Sequence, residues 1–152
     1  MFRRRCDTGR FSIERMQSSA GTHRLSSSIW GLFSMPSIAI IGASNDRAKY
    51  GNRAVRAYRA QGWTVYPVNP KESQVEGIAS YPSIAEVPAP VDRASLYVPP
   101  SVGIGLLDAI HAHGAKELWV NPGSGSPELL ARAEQLGLIV VEACSLMAAS
   151  EG

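Results

Sequence analysis

With 152 residues, 45% of them hydrophobic and 18% charged, the chain is long enough for one globular domain with its own core and too apolar for a disordered class. The net charge of +2 hides an asymmetry: in residues 1–34, six Arg against Asp7 and Glu14 give +4, whereas beyond them nine Lys or Arg against eleven acids give −2. That balance excludes the basic stripe of a nucleic-acid binder, and no apolar run approaches the roughly 20 residues of a membrane span.

Residues 1–34 show neither helical nor strand periodicity and are rich in Arg, Ser and Gly. The expectation is a disordered leader outside the fold. Two origins stay open: Met35 is the true initiator, or the Arg- and Ser-rich, acid-poor composition is a transit peptide. The first places the protein in the cytoplasm, the second in an organellar matrix. Cys6 and Cys144 lie far apart in the chain, which argues against a disulfide scaffold and for a reducing compartment.

From Met35 the pattern alternates. Ile38–Ile41 is a short apolar run suited to a strand buried on both faces of a parallel sheet. A polar loop leads to a helix near Asn52–Gln61, with Ala54, Val55, Ala57 and Tyr58 as its buried stripe and Gly62 ending it. Thr64–Val68 reads as the second strand, and Glu76-Gly77 as a turn. Ser83–Val87 reads as a short helix capped by Ser83 and stopped before Pro88. Arg93–Val98 is the third strand, cut off by Pro99-Pro100. Ser101 is expected to cap a helix reaching His113, with Val102, Leu106, Leu107, Ala109 and Ile110 facing inward and Gly114 at its end. Glu117–Val120 is the fourth strand, Pro127–Leu136 a helix closed by Gly137, and Leu138–Glu142 the fifth strand. Five strands alternating with helices predict an α/β, Rossmann-like, doubly wound parallel sheet in a single domain over residues 35–152.

Ligands of such sheets bind beyond the carboxyl ends of the strands. After the first strand come Gly42, Ala43, Ser44 and Asn45, then Lys49 and a helix start at Gly51-Asn52. Small residues and a helix N-terminus favour phosphate there. The Gly-x-Gly-x-x-Gly fingerprint and the Gly-Lys-Ser/Thr P-loop are both absent, so these glycines could equally serve only a tight strand-to-helix crossing. After the second strand comes Asn69-Pro70-Lys71. An NAD site places an acid near here for the ribose hydroxyls. A lysine in its place suits a phosphorylated ribose, as in coenzyme A or NADP, unless it is one more surface lysine. After the third strand, Tyr97-Val98-Pro99-Pro100 offers an apolar edge for an adenine or pantetheine, or merely breaks the strand.

Taken together, Ile38–Ser44, Lys49–Asn52, the Val65–Lys71 turn, Tyr81–Ile84, Pro90–Asp92 and Val98-Pro99 resemble the CoA-binding domain. This Rossmann-like domain occurs alone in small bacterial proteins. It also forms the amino-terminal part of succinyl-CoA synthetase α subunits and of ADP-forming acyl-CoA synthetases. The resemblance covers about residues 36–147. It implies that Gly42–Asn45 and Gly51-Asn52 hold the pyrophosphate, Lys71 faces the 3′-phosphate, and Tyr97–Pro100 line the adenosine side. The synthetases continue into a further domain with a phosphorylated histidine. This sequence ends at Gly152, so a stand-alone, non-catalytic CoA or acyl-CoA module is expected, either self-associating or docking on a separate ligase subunit. An NADP-binding oxidoreductase or sensor is the alternative.

Outside these loops the sequence offers little catalytic chemistry. His111 and His113 are two apart, hence on different helix faces, and suit the helix dipole better than a metal. Cys144 follows the last strand; it is either a buried structural thiol or close enough to the pantetheine thiol to form a mixed disulfide by exchange with oxidised CoA. Ser/His/Asp sets, paired carboxylates and zinc spacings are not seen.

Overall fold

A computed structural model describes residues 35–151. The reading of residues 1–34 as a leader lies outside the described residues. Five parallel strands form the main sheet: β1 (Ser37–Ile41), β2 (Thr64–Val68), β5 (Arg93–Leu96), β6 (Glu117–Val120) and β7 (Val140–Glu142). Their order is β2-β1-β5-β6-β7. The alternation of short apolar runs with helices thus becomes the expected α/β, Rossmann-like sheet.

Strand periodicity explains why both faces must be covered. Ile38 and Ile40 point to one side, where Ala54, Val55 and Tyr58 of helix α1 (Tyr50–Ala60) and Ala149 of helix α5 (Ser145–Glu151) pack against them. Ala39 and Ile41 point to the other. There they meet Leu107 and Ile110 of α3 (Leu107–His113), and Leu129 and Ala133 of α4 (Pro127–Gln135). Each fully buried Ile or Leu side chain contributes about 1.5–3 kcal/mol relative to exposure.

Local signals set most boundaries. Gly62, Gly114 and Gly137 end their helices with φ of +86, +91 and +79°. Ser126 caps α4, its Oγ accepting from the Leu129 N–H at 3.1 Å, with Pro127 in the first turn. Glu76 and Gly77, both at positive φ, form the two-residue turn of a hairpin between β3 (Gln74–Val75) and β4 (Ile78–Ala79).

Three expectations are corrected, and one helix is added. Ser83 precedes only a 3-10 turn, Ile84–Glu86, and makes no side-chain cap. Ser101 is not a cap either. Pro99 holds that position, and Pro100, its φ preset for a first helical residue, opens α2 (Pro100–Gly103). A 3-10 turn at Ile104–Leu106 then separates α2 from α3. Its tighter pitch shifts the helical phase, so Val102 is 48% exposed rather than inward. Finally, α5 goes unanticipated by the strand-and-helix reading of the sequence, which ends at Glu142.

Candidate ligand-binding site

The connection after β1 leads to β2 on one side, whereas that after β5 leads to β6 on the other. The carboxyl ends of β1 and β5 therefore border the crevice where an open α/β sheet takes its ligand. Two adjoining cavities lie there.

The first is a polar hollow of about 470 Å3 over Gly42, Ser44, Lys49, Gly51, Asn69, Tyr97, Val98 and Pro99. Its floor depends on two glycines nine residues apart. A Cβ at Gly51 would sit 2.5 Å from the Gly42 carbonyl oxygen, and one at Gly42 would sit 2.7 Å from the Tyr97 carbonyl oxygen. Gly42 also has φ +97°, a conformation other L residues rarely adopt. The start of α1 is thereby packed onto the loop after β1, and that loop onto β5. Lys49 offers no side-chain cap to α1, and no acid stands in its first turn, so the positive end of the helix dipole faces the hollow uncompensated.

The second is an apolar cleft of about 300 Å3, sharing Gly42, Asn69 and Val98 with the hollow and bounded by Pro70, Ile84 and Leu106. It suits a flat, apolar ring system. Lys71 follows Pro70 in the chain but lines neither cavity; it is exposed, and its N–H donates to Asn69 Oδ1 at 2.7 Å. The Asn69 amide in turn donates to the Ala43 carbonyl at 2.6 Å, which ties the second turn to the first.

The residues expected from the sequence divide accordingly. Gly42, Ser44, Lys49, Gly51, Asn69, Tyr97, Val98 and Pro99 are brought together around the hollow, and Pro70 lines the cleft. Ala43 is buried in the core beneath, and Pro100 opens α2. Asn45 and Asn52 do not line either cavity. The Asn45 amide donates to Glu72 Oε1 at 2.9 Å and to the Gln74 carbonyl at 2.7 Å. Asn52 is fully buried, donating to Ser44 O and Glu76 Oε2, both at 2.8 Å. Each amide clamps the loop after β1 to the β3–β4 hairpin. The bond from Asn52 holds the Glu76 carboxyl below its usual value. Tyr50 is an unforeseen contributor to the hollow, whereas Pro122, Gly123 and Ser124, which also line it, follow the fourth main-sheet strand and are among the residues that strand-end position nominates from the sequence.

Behind the hollow lies a buried polar network. Ser145, fully buried, shares hydrogen bonds of 2.7 Å with the Ser95 hydroxyl and the Tyr97 phenol. Its N–H donates to Asn121 Oδ1 at 2.7 Å, and its carbonyl accepts from the Tyr58 hydroxyl at 2.8 Å. Burial pushes the Tyr97 phenol up to about 12, although the bond to Ser145 pulls the other way. The unfolded phenol titrates near 10. The contribution of neutral Tyr97 is therefore complete below about pH 10 and lost as pH rises through about 12. Tyr97→Phe is expected to reduce the fall in stability above about pH 10 by about 1 kcal/mol per pH unit. Urea unfolding between about pH 9 and about pH 11 measures it; an unchanged slope would show that Tyr97 does not titrate as placed.

The two histidines at the end of α3 lie away from these cavities. His113 bonds through Nε2 to the Val87 carbonyl at 3.0 Å and holds the 3-10 turn to α3. Among the described residues no group of three His, Cys, Asp or Glu could hold a metal ion. No helix there is long and apolar enough to cross a membrane.

Comparison with known proteins finds relatives among ligases and solved structures. An acetate–CoA ligase (ADP-forming) II α subunit from Pyrococcus furiosus is 44% identical over 68 residues, 44% of this chain and 15% of its own length. The acetate–CoA ligase (ADP-forming) I of Archaeoglobus fulgidus is 32% identical over 120 residues, 72% of this chain and 18% of its own. The chain thus spans less than a fifth of the length of these curated relatives. Among solved structures, a conserved hypothetical protein from Pyrococcus furiosus superposes with a TM-score of 0.69 at 34% identity. That match covers 75% of this chain and 99% of that one. The model of the CoA-binding domain matches residues 36–150, and the chain belongs to that family.

Proposed function

We propose that the protein binds coenzyme A or an acyl-CoA at the carboxyl ends of β1, β2 and β5, as a module without catalytic groups of its own. The observation that carries this reading is the pairing of cavities: a polar hollow at an uncapped helix start, directly continuous with an apolar cleft. In this reading the diphosphate lies over Gly42, Ser44 and Gly51, where backbone N–H groups and the helix dipole favour anions. The adenine enters the cleft beside Val98 and Ile84. Lys71, exposed and next in the chain to the Pro70 that lines the cleft, meets the 3′-phosphate.

Isothermal titration of CoA, acyl-CoAs, NADP and NAD tests this reading. CoA is expected to bind more tightly than either dinucleotide; tighter NADP binding would replace it with the oxidoreductase or sensor alternative, to which the family match lends no support. Lys71→Ala is expected to weaken CoA about tenfold while changing dephospho-CoA less than twofold, as for one charge-assisted phosphate contact. Equal losses for both ligands would mean that Lys71 does not read the 3′-phosphate. A role as the CoA-binding partner of a separate ligase subunit is favoured by the Pyrococcus relative, which is itself called a subunit.

A further inference from the structure

Past the polar hollow, the strand-end surface continues into a third cavity of about 440 Å3. Tyr50, Tyr97 and Pro122 line both, so the two are continuous. Beyond these three, the third cavity is bounded by Arg53, Cys144 and Met147. With Leu146, its chemistry is mostly that of aromatic rings, a proline ring, aliphatic carbon, a thiol and a thioether, and its neutral polar member, the Asn121 amide, is already bonded to Ser95, Leu96 and Ser145. Arg53, the charged member, lies 5.2 Å from the centre of the Tyr50 ring, over its face. There the cation is already engaged by the ring's negative face, and its stem extends the apolar surface.

The wall contributed by the start of α5 is held in place before any ligand arrives. Ser145 is bonded on its hydroxyl, its N–H and its carbonyl to Tyr97, Asn121 and Tyr58 at 2.7, 2.7 and 2.8 Å. Tyr97 therefore joins the cavity lining to the buried network with one side chain. A preformed apolar wall of this kind costs a ligand little ordering.

We propose that this third cavity receives the acyl group at the thiol end of the bound coenzyme, and that it favours unbranched aliphatic acyl groups over acetyl. The proposal rests on the coenzyme A reading, and it adds to that reading which thioesters the site prefers. With the adenine in the cleft beside β2 and the diphosphate over Gly42, the remaining arm runs towards the ends of β6 and β7, which Pro122 and Cys144 follow. Each methylene that enters the cavity leaves water for apolar contact.

The test is titration of the full chain with CoA and with acetyl-, butyryl-, hexanoyl- and succinyl-CoA. From acetyl to hexanoyl, each added methylene is expected to tighten binding about twofold or more. In Met147→Glu, at a position 60% exposed and so tolerant of a polar side chain, the hexanoyl-to-acetyl ratio is expected to collapse towards one. Three results would overturn the proposal while leaving CoA binding intact: a flat chain-length series, succinyl-CoA binding more tightly than butyryl-CoA, or an undiminished ratio in Met147→Glu. Failure of every coenzyme to bind would remove the underlying reading and the proposal with it.

Discussion

Gly42→Ala is expected to cost about 3 kcal/mol or more of folding stability and to abolish ligand binding at the polar hollow. Two costs add. A Cβ there would lie 2.7 and 2.9 Å from the carbonyl oxygen and carbon of Tyr97, backbone atoms directly after β5 that cannot rotate away. Overpacking of this kind costs about 1–3 kcal/mol. The φ of +97° adds strain of about 1–3 kcal/mol for a residue with a side chain. Gly114→Ala separates the two: its φ is +91°, yet nothing lies within 4 Å of the added atom. It is expected to lose only the strain. Urea denaturation of both variants measures the difference; equal losses would show that the close approach to Tyr97 is not what Gly42 provides. Gly51→Ala, with its Cβ 2.5 Å from the Gly42 carbonyl oxygen but an ordinary helical φ, is expected to lose only the overpacking.

Asn121→Leu is expected to lose about 3 kcal/mol and to loosen the C-terminal helix. The wild-type amide, 3% exposed, donates to the Ser95 hydroxyl and the Leu96 carbonyl, both at 2.8 Å. Its oxygen accepts the Ser145 N–H that begins α5. A leucine of similar size leaves the Leu96 carbonyl and the Ser145 N–H buried without those partners, at about 1–3 kcal/mol for each. Hydrogen exchange at residues 145–149 should accelerate, because the anchor of the helix is gone. Asn121→Asp keeps an acceptor for Ser145 and should restore that protection in part. If Asn121→Leu costs under about 1 kcal/mol and leaves exchange unchanged, α5 is held by its apolar contacts with α1 instead.

Hydrogen bonds between residues distant in the chain explain why the candidate site is only half legible in the sequence. Gly42, Ser44, Gly51, Asn69 and Val98, which line the hollow, are legible in the sequence because a strand-end position is set by chain order, and short apolar runs mark where strands stop. Asn45 and Asn52 were expected at the ligand by the same logic. Their amides instead bond to Glu72, Gln74 and Glu76, in or beside a hairpin 24 to 31 residues further on. An amide has several hydrogen-bonding positions and takes whichever partners folding brings near; those partners are not local in sequence. Tyr50 stands between the expected Lys49 and Gly51 in the first turn of α1, and neither charge nor backbone freedom marks it in the sequence.

What the sequence determined by itself was the order of strands and helices, the glycine-bearing turn after β1, and the lysine where an NAD site would carry an acid. Those follow from periodicity, from backbone freedom and from charge, all local properties. The tertiary structure decided three further things. It placed β1 beside β5, which put the glycine turn against Tyr97; it tied the Asn45 and Asn52 amides to the β3–β4 hairpin and its flank; and it folded Ser145–Glu151 into a helix over Tyr58 and the sheet. Seven residues are too few to hold a helix by propensity alone. Burial of Ala149 and the bonds around Ser145 hold it, and both exist only once the strands have come together.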